Sequence, residues 1–327
     1  MSFNDLIGNS RVKMILGSYM KNESIPLSMI FFGPSNANIH DFAIAYAKAI
    51  NCKESSHDFC DSCKNCVDIS KDIFPDLKIL YPEGQFYKKE QISFLIEDNY
   101  RRPLTGEKKI YILNEAERMN ESSANSFLKV LEEPADSSVF ILITKNLTKL
   151  LPTIRSRCQI LTFYSPSKVE IRQYLSKLGF DEKRSELLAS LSISGKDNIL
   201  KEDYFSLMEN RESVFFILES LIKKNKVEDV LLNLSHKSRT RAKFIEYFND
   251  ILNLISVMLR DIMILKIDNN SDFLINIDYI EKLEDLGKYI NIEKVLYLIR
   301  RMEFILRDIK RNLNSKVLIL EFINSYA

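Results

Sequence analysis

Short apolar runs alternate with helical patterns through the first half of the chain. The runs at 29–32, 77–80, 110–113, 139–143 and 160–163 are rich in Ile, Leu or Phe and are bounded by polar residues, Gly or Pro. They predict five strands buried on both faces, and therefore a parallel sheet covered by helices on either side. Between the third and fourth runs, 121–132 predicts a helix stopped by Pro134. The strand signal ends at Ser165-Pro166. Beyond it, 167–179 and 182–193 predict two helices, with Gly195 as punctuation, and longer helices begin near 208. One covers 241–266, and 268–277, with Asn269-Asn270-Ser271, predicts a loop. In 291–313, Ile292, Val295, Leu296, Ile299, Met302, Leu306, Ile309 and Leu313 recur at helical spacing and predict one buried stripe. The fold class is α/β followed by all-α, in three domains: 1–165, 166–207 and 208–327.

Composition narrows the function classes. At 327 residues the chain exceeds one comfortable core. Its 46 basic residues are matched by 45 acidic ones, which argues against binding nucleic acid by bulk charge. The local clusters Arg300, Arg301, Arg307, Lys310, Arg311 and Lys237, Arg239, Arg241, Lys243 read as solvated faces or cross-subunit partners. Even the apolar stretch 244–259 carries Glu246 and Asp250, so a membrane span is not expected. The amino-terminal Met1-Ser2-Phe3-Asn4-Asp5 is polar and unlike an export signal. A soluble cytoplasmic protein is expected.

Four of the five cysteines, Cys52, Cys60, Cys63 and Cys66, form C-x7-C-x2-C-x2-C. Thiolates at this spacing can converge on one tetrahedral zinc, and the two overlapping C-x2-C turns are tight enough for such a site. The competing reading, a disulfide framework, needs an oxidising compartment. His57 lies in the long spacer and reads as a loop residue, because four cysteines already complete a shell. Cys158 reads as a small packed side chain.

The first strand runs into Gly33-Pro34-Ser35-Asn36-Ala37-Asn38-Ile39-His40 and then a helix, the place where a P-loop would sit. A working P-loop needs glycines for close backbone approach, a lysine for the β- and γ-phosphates and a hydroxyl for magnesium. Here Gly33 fits, but Asn36 and Asn38 replace glycines, Ile39 the lysine and His40 the hydroxyl. After the third strand, Asn114 stands where an acid would bind magnesium, and Glu115 keeps the position of a water-polarising base. From these residues alone, 33–40 could equally be an ordinary strand-to-helix loop.

Several motifs together resemble a known family. Phe3-Asn4-Asp5-Leu6-Ile7-Gly8 is similar to its opening F-x-x-(I/L)-(I/V)-G. Ala124-Asn125-Ser126-Phe127-Leu128-Lys129-Val130-Leu131-Glu132-Glu133-Pro134 is similar to A-N-A-L-L-K-x-L-E-E-P. Leu150-Leu151-Pro152-Thr153-Ile154-Arg155-Ser156-Arg157-Cys158 carries an S-R-C motif. In order and spacing these resemble the bacterial clamp-loader subunits of the replicative DNA polymerase, of the AAA+ class, over essentially the whole chain. The resemblance implies a sheet in the order 5-1-4-3-2, a helical lid and a carboxy-terminal collar through which subunits assemble. A retained zinc module with a ruined P-loop is similar to the family's non-hydrolysing subunit, so no functional ATP site is expected. It further implies as partners the ATPase subunits and delta in a five-subunit ring, with the sliding clamp and primed DNA engaged through the complex and no membrane.

Within that family the S-R-C arginine, here Arg157, is an arginine finger presented in trans to a neighbour's ATP. Arg155 would make intramolecular or interface contacts. The lid segment Gly195-Lys196-Asp197-Asn198 lacks the family's basic sensor, and Thr144-Lys145-Asn146 follows strand four where a polar sensor belongs. Two other readings compete: an active AAA+ ATPase with a divergent P-loop, and a zinc-dependent nucleic-acid module on a vestigial nucleotide fold. Near-neutral charge weighs against the last.

Overall fold

A computed structural model describes residues 2–193, 204–225, 241–267, 273–309 and 315–326. The five apolar runs are strands: β1 Ser28–Phe32, β2 Leu77–Leu80, β3 Lys109–Leu113, β4 Ser138–Thr144 and β5 Gln159–Thr162. All pairings are parallel, and the order is β2-β3-β4-β1-β5, the expected order read from the other edge. β5 ends one residue early, although the Phe163 N–H still donates to the Phe32 carbonyl at 2.7 Å.

Alternation along the central strands divides the core into two layers. Met29, Phe31, Ile110, Ile112, Val139 and Ile141 face one side, packed with residues of helices α1 Ser10–Lys21 and α2 Ile39–Asn51. Ile30, Tyr111, Leu113, Phe140 and Leu142 face the other. There they meet residues of α4 Lys89–Asn99 and α5 Glu121–Glu132; the short α3 Lys64–Ser70 precedes β2. Side chains of this size, fully buried, contribute about 1.5–3 kcal/mol each. α5 starts where Asn120 Oδ1 accepts the Ser123 N–H at 2.8 Å and ends before Pro134, as predicted. The S-R-C segment begins in the one-turn α6 Pro152–Arg155, with proline at its first position.

The chain divides into two compact units, Met1–Leu178 and Gly179–Ala327. The first closes with α7 Lys168–Lys177, whose capping box pairs Ser167 with Glu170. The second comprises α8 Glu182–Ile193, α9 Tyr204–Ile222, α10 Arg241–Ile267, α11 Ile280–Gly287, α12 Ile292–Ile309 and α13 Ser315–Asn324 among the described residues. Gly195-Lys196-Asp197-Asn198, Lys237, Arg239, Lys310, Arg311, Leu313 and the predicted loop residues 268–272 lie outside the described residues.

The buried stripe of α12 differs in phase from the predicted one. Val295 and Met302 are buried, but their partners are Leu298 and Ile305, while Leu296 is 40% exposed. Apolar residues occupy more than one face of this helix, with Tyr297 and Phe304 also exposed, so spacing alone could not select the inward face.

A buried polar network fixes the turn before α11. The Asp261 carboxylate, on α10, accepts from the Ile275 and Asn276 N–H groups and from Asn276 Nδ2 at 2.7–3.2 Å. Arg211, fully buried on α9, forks onto both Asp278 oxygens at 2.7 and 2.8 Å and donates to Asn276 Oδ1 at 2.7 Å. These bonds satisfy most of the groups that would be expensive to bury alone; Arg211 Nε has no partner among the described residues.

Candidate functional site

The four cysteines come together. Cys52 caps the end of α2, Cys63 caps the start of α3, and Cys66 lies in the first turn of α3. The two helices and the loop between them bring all four Sγ atoms within 4.8 Å of one another. A tetrahedral zinc with Zn–S bonds of about 2.3 Å needs sulfur separations of about 3.8 Å, so a contraction of about 1 Å suffices. The Cys63 N–H donates to Cys60 Sγ at 3.2 Å, the polarity expected around a thiolate. Hydrogen bonds from the Ser62 side chain and from the Cys63 and Ser62 N–H groups hold the Cys60 thiol down at about 6, while burial raises Cys52 and Cys66. This donor set could bind a metal ion. His57 is exposed in the spacer and is not part of the cluster.

The cysteine insertion is fastened to the rest of its unit by polar and aromatic contacts. Lys48 Nζ lies 2.6 Å from Asp61 and 5.4 Å from the Phe59 ring centre. Phe59 meets Phe3 edge to face at 5.7 Å, and Asp58 Oδ1 accepts the Phe3 N–H at 3.2 Å. Asn65 donates to the Asn51 carbonyl at 2.9 Å, and Asn51 Oδ1 accepts from the N–H groups of Glu107 and Lys108 at 2.8 and 3.0 Å.

The strand-to-helix turn at the P-loop position packs closely against its own unit. A Cβ at Gly33 would lie 2.6 Å from the Phe163 carbonyl oxygen and 3.1 Å from Ile39 Cδ1. Ile39, where a phosphate-binding lysine would stand, is only 5% exposed and belongs to the core layer of α1 and α2. Asn38 has φ 54°, a left-handed conformation that asparagine tolerates, and leads directly into α2. Asn36 Oδ1 accepts from Ser165 Oγ at 2.6 Å. His40 is the second residue of α2, its Nδ1 3.3 Å from Asn114 Oδ1.

The acidic motif is likewise engaged within the chain. The Asn114 carbonyl accepts from the Tyr87 hydroxyl, and Glu115 pairs with Arg118 at 2.6 Å. Glu117 Oε2 accepts from Thr144 Oγ1 at 2.6 Å at the end of β4. Sequence reading missed Arg118 and the Glu117–Thr144 pair. The sequence marks Thr144 only as one of three residues following the strand.

The two S-R-C arginines differ in setting. Arg155 is half-buried, and its Nε is buried without a hydrogen-bond partner among the described residues. Arg157 is exposed; its guanidinium lies 2.7 Å from Glu132 Oε1 and donates to the Thr153 carbonyl at 3.1 Å. Glu132 is the first acid of the Glu132-Glu133-Pro134 segment that ends α5. Cys158 is partly buried against the core layer of α4 and α5, and burial pushes its thiol up to about 12, which makes it a poor nucleophile.

Comparison with known proteins adds to this geometry. The chain is 32% identical to DNA polymerase III subunit delta' of Bacillus subtilis over 64% of this chain and 64% of that protein. It is 30% identical to the delta' subunit of Pseudomonas aeruginosa over 51% of this chain and 52% of that one. It is 31% identical to the gamma/tau subunit of Mycoplasma pneumoniae, over 55% of this chain and 26% of that protein. The chain thus spans less than two thirds of the length of these relatives. A solved gamma subunit-related protein of Thermotoga maritima covers 95% of this chain and 98% of its own, with 18% identity and a TM-score of 0.44. Family models for the DNA polymerase III delta subunit and for its C-terminal part match residues 8–167 and 207–326. With both units matched, and with delta' subunits among its relatives, the chain belongs to the family of DNA polymerase III delta and delta-prime subunits.

Proposed function

We propose that the chain is a non-hydrolysing, delta-prime-type subunit of the sliding-clamp loader, which organises a five-subunit ring with the ATPase subunits and delta for loading the clamp onto primed DNA. In this reading Arg157 reaches a neighbour's ATP in trans. Cys52, Cys60, Cys63 and Cys66 hold one zinc, whose role is to tie down the 52–66 insertion. Residues 1–165 serve as the AAA+ domain, 166–207 as the lid and 208–327 as the collar. The protein works in the cytoplasm, in keeping with the finding that no helix among the described residues is long and apolar enough to cross a membrane.

One observation carries the reading. Ile39 puts an aliphatic side chain in the core where ATP would need an ammonium group, and Gly33 has no free space beside it. The exposed Arg157 supports the other half: a guanidinium on the surface can serve another subunit without a nucleotide at its own P-loop position.

The test is a calorimetric titration of the purified chain with Mg-ATP. No saturable binding at the Gly33 pocket is expected, and no hydrolysis. Micromolar binding there would overturn the reading in favour of an active ATPase with a divergent P-loop. A second measurement addresses restoration. Ile39→Lys is expected to lower stability by on the order of 2–4 kcal/mol, because the new ammonium group starts in an apolar layer. It should confer no ATP hydrolysis, since Asn36, Asn38 and Asn114 remain.

A further inference from the structure

Arg157 is held at two points within its own chain. Its Nη2 donates to Glu132 Oε1 at 2.7 Å, and its Nη1 donates to the Thr153 carbonyl at 3.1 Å. Neither Arg157 nor Glu132 makes another ion pair among the described residues. The two holding groups come from separate elements: Glu132 is the last residue of α5 and Thr153 the second of α6.

Both elements are anchored in one packed layer. Leu131, next to Glu132, is 5% exposed, and Ile154, next to Thr153, is fully buried. Both belong to the core layer of α4 and α5, and Cys158, the residue after Arg157, packs against the same layer. The groups that grip the guanidinium thus have fixed backbone positions, as the support of a functional side chain requires.

A surface arginine samples many rotamers, and that freedom is lost whenever it must meet one ligand geometry. An exposed ion pair adds little to folding stability, but it does restrict the side chain it holds. A guanidinium carries five N–H donors in a rigid plane. Glu132 and Thr153 take one on each terminal nitrogen, which leaves the Nε–H and a second N–H on each for phosphate oxygens.

We propose that Glu132 is a positioning residue for Arg157, fixing the direction of the guanidinium before a neighbour's ATP meets it. The inference rests on the trans-acting role proposed above and adds the group that aims the arginine. Charge aligned beforehand stabilises a transition state without reorganisation during the reaction.

The test measures ATP turnover by the assembled complex, with each rate compared with the fall that Arg157→Ala produces. Glu132→Ala is expected to slow the site that Arg157 serves by about two- to fivefold, the range an exposed ion pair can supply. In the bulk rate that is about half to four-fifths of the Arg157→Ala fall. The KM for ATP should not change, because the carboxylate acts through Arg157 and not on the nucleotide. Glu132→Gln keeps an acceptor at the same reach and should retain most of the rate. Glu132→Asp is one methylene shorter and should behave as the alanine variant does. Added to Arg157→Ala, Glu132→Ala should cost nothing further, whereas a merely structural role would give additive losses.

Wild-type turnover in Glu132→Ala, where Arg157→Ala is slow, overturns the proposal and leaves the finger reading intact. Faster turnover also overturns it, since the carboxylate would then be withholding the arginine. So does additive loss in the double variant, or failure of Glu132→Ala alone to assemble, which would place Glu132 in a subunit contact. If Arg157→Ala itself turns over at the wild-type rate, the finger reading fails and the role of Glu132 falls with it.

Discussion

Replacing Arg157 with alanine is expected to lower ATP turnover by the assembled complex while leaving the chain's own melting temperature unchanged. The second part follows from exposure: the Arg157–Glu132 pair lies at the surface, where such pairs contribute about 0–1 kcal/mol. The first follows from the proposed role. An arginine finger contributes about three to five orders of magnitude at its own site. The bulk rate would fall by much less, because other interfaces in a ring would carry their own fingers. Arg157→Lys should fail as well, since a point charge cannot reproduce the planar fork of donors. Arg155→Ala is the control. Its half-buried side chain predicts an effect on stability or assembly, with no direct effect on turnover. If the Arg157→Ala complex assembles and loads clamps at the wild-type rate, the trans-acting role is wrong and the subunit is a scaffold only.

Metal removal is expected to have the second large effect. Metal analysis should find one zinc per chain, and Cys63→Ser should lose it. The four thiols enclose an insertion with little apolar core of its own, so ligand loss should destabilise the first unit by on the order of 3 kcal/mol. For a unit of this size that corresponds to a fall of roughly 6–12 °C in melting temperature. The damage should not stay local. Phe59 and Asp58 hold the segment at Phe3, and Asn65 reaches Asn51, which in turn caps the N–H groups of Glu107 and Lys108. Amide exchange at Phe3 and around 107–108 should therefore rise in the variant. A metal-free protein that melts as the wild type does would end the zinc reading.

β1, β3 and β4 were legible because their runs are continuously apolar, as strands buried on both faces need. The edge strands β2 and β5 carry Lys78 and Thr162 within theirs and are less buried. Pro134 marked the end of α5 equally plainly, whereas its Asn120 cap emerged only from the structure. The phase of α12 was not legible, because Leu296, Tyr297 and Phe304 put apolar side chains on faces other than the one that packs inward. The cysteine cluster was fully visible, since its ligands lie within fifteen residues of sequence. The polar anchors were not. Arg211 finds Asp278, and Asn51 finds Glu107, only after folding brings together segments more than fifty residues apart.

The position of β1 between β4 and β5 governs how the chain can be made. Ser28 stands opposite Phe140, and Met29 stands opposite Gln159, so β1 acquires both neighbours only after most of the first unit has been synthesised. β2 and β3, with Leu77 opposite Ile110, can meet earlier. Until residues 138–162 emerge from the ribosome, Met29-Ile30-Phe31-Phe32 is an apolar strand without partners on a growing polypeptide. Non-local parallel pairing of this kind folds slowly and leaves aggregation-prone surface exposed during synthesis. The nascent first unit is thus expected to engage chaperones, and pausing of translation before residue 162 should prolong that dependence.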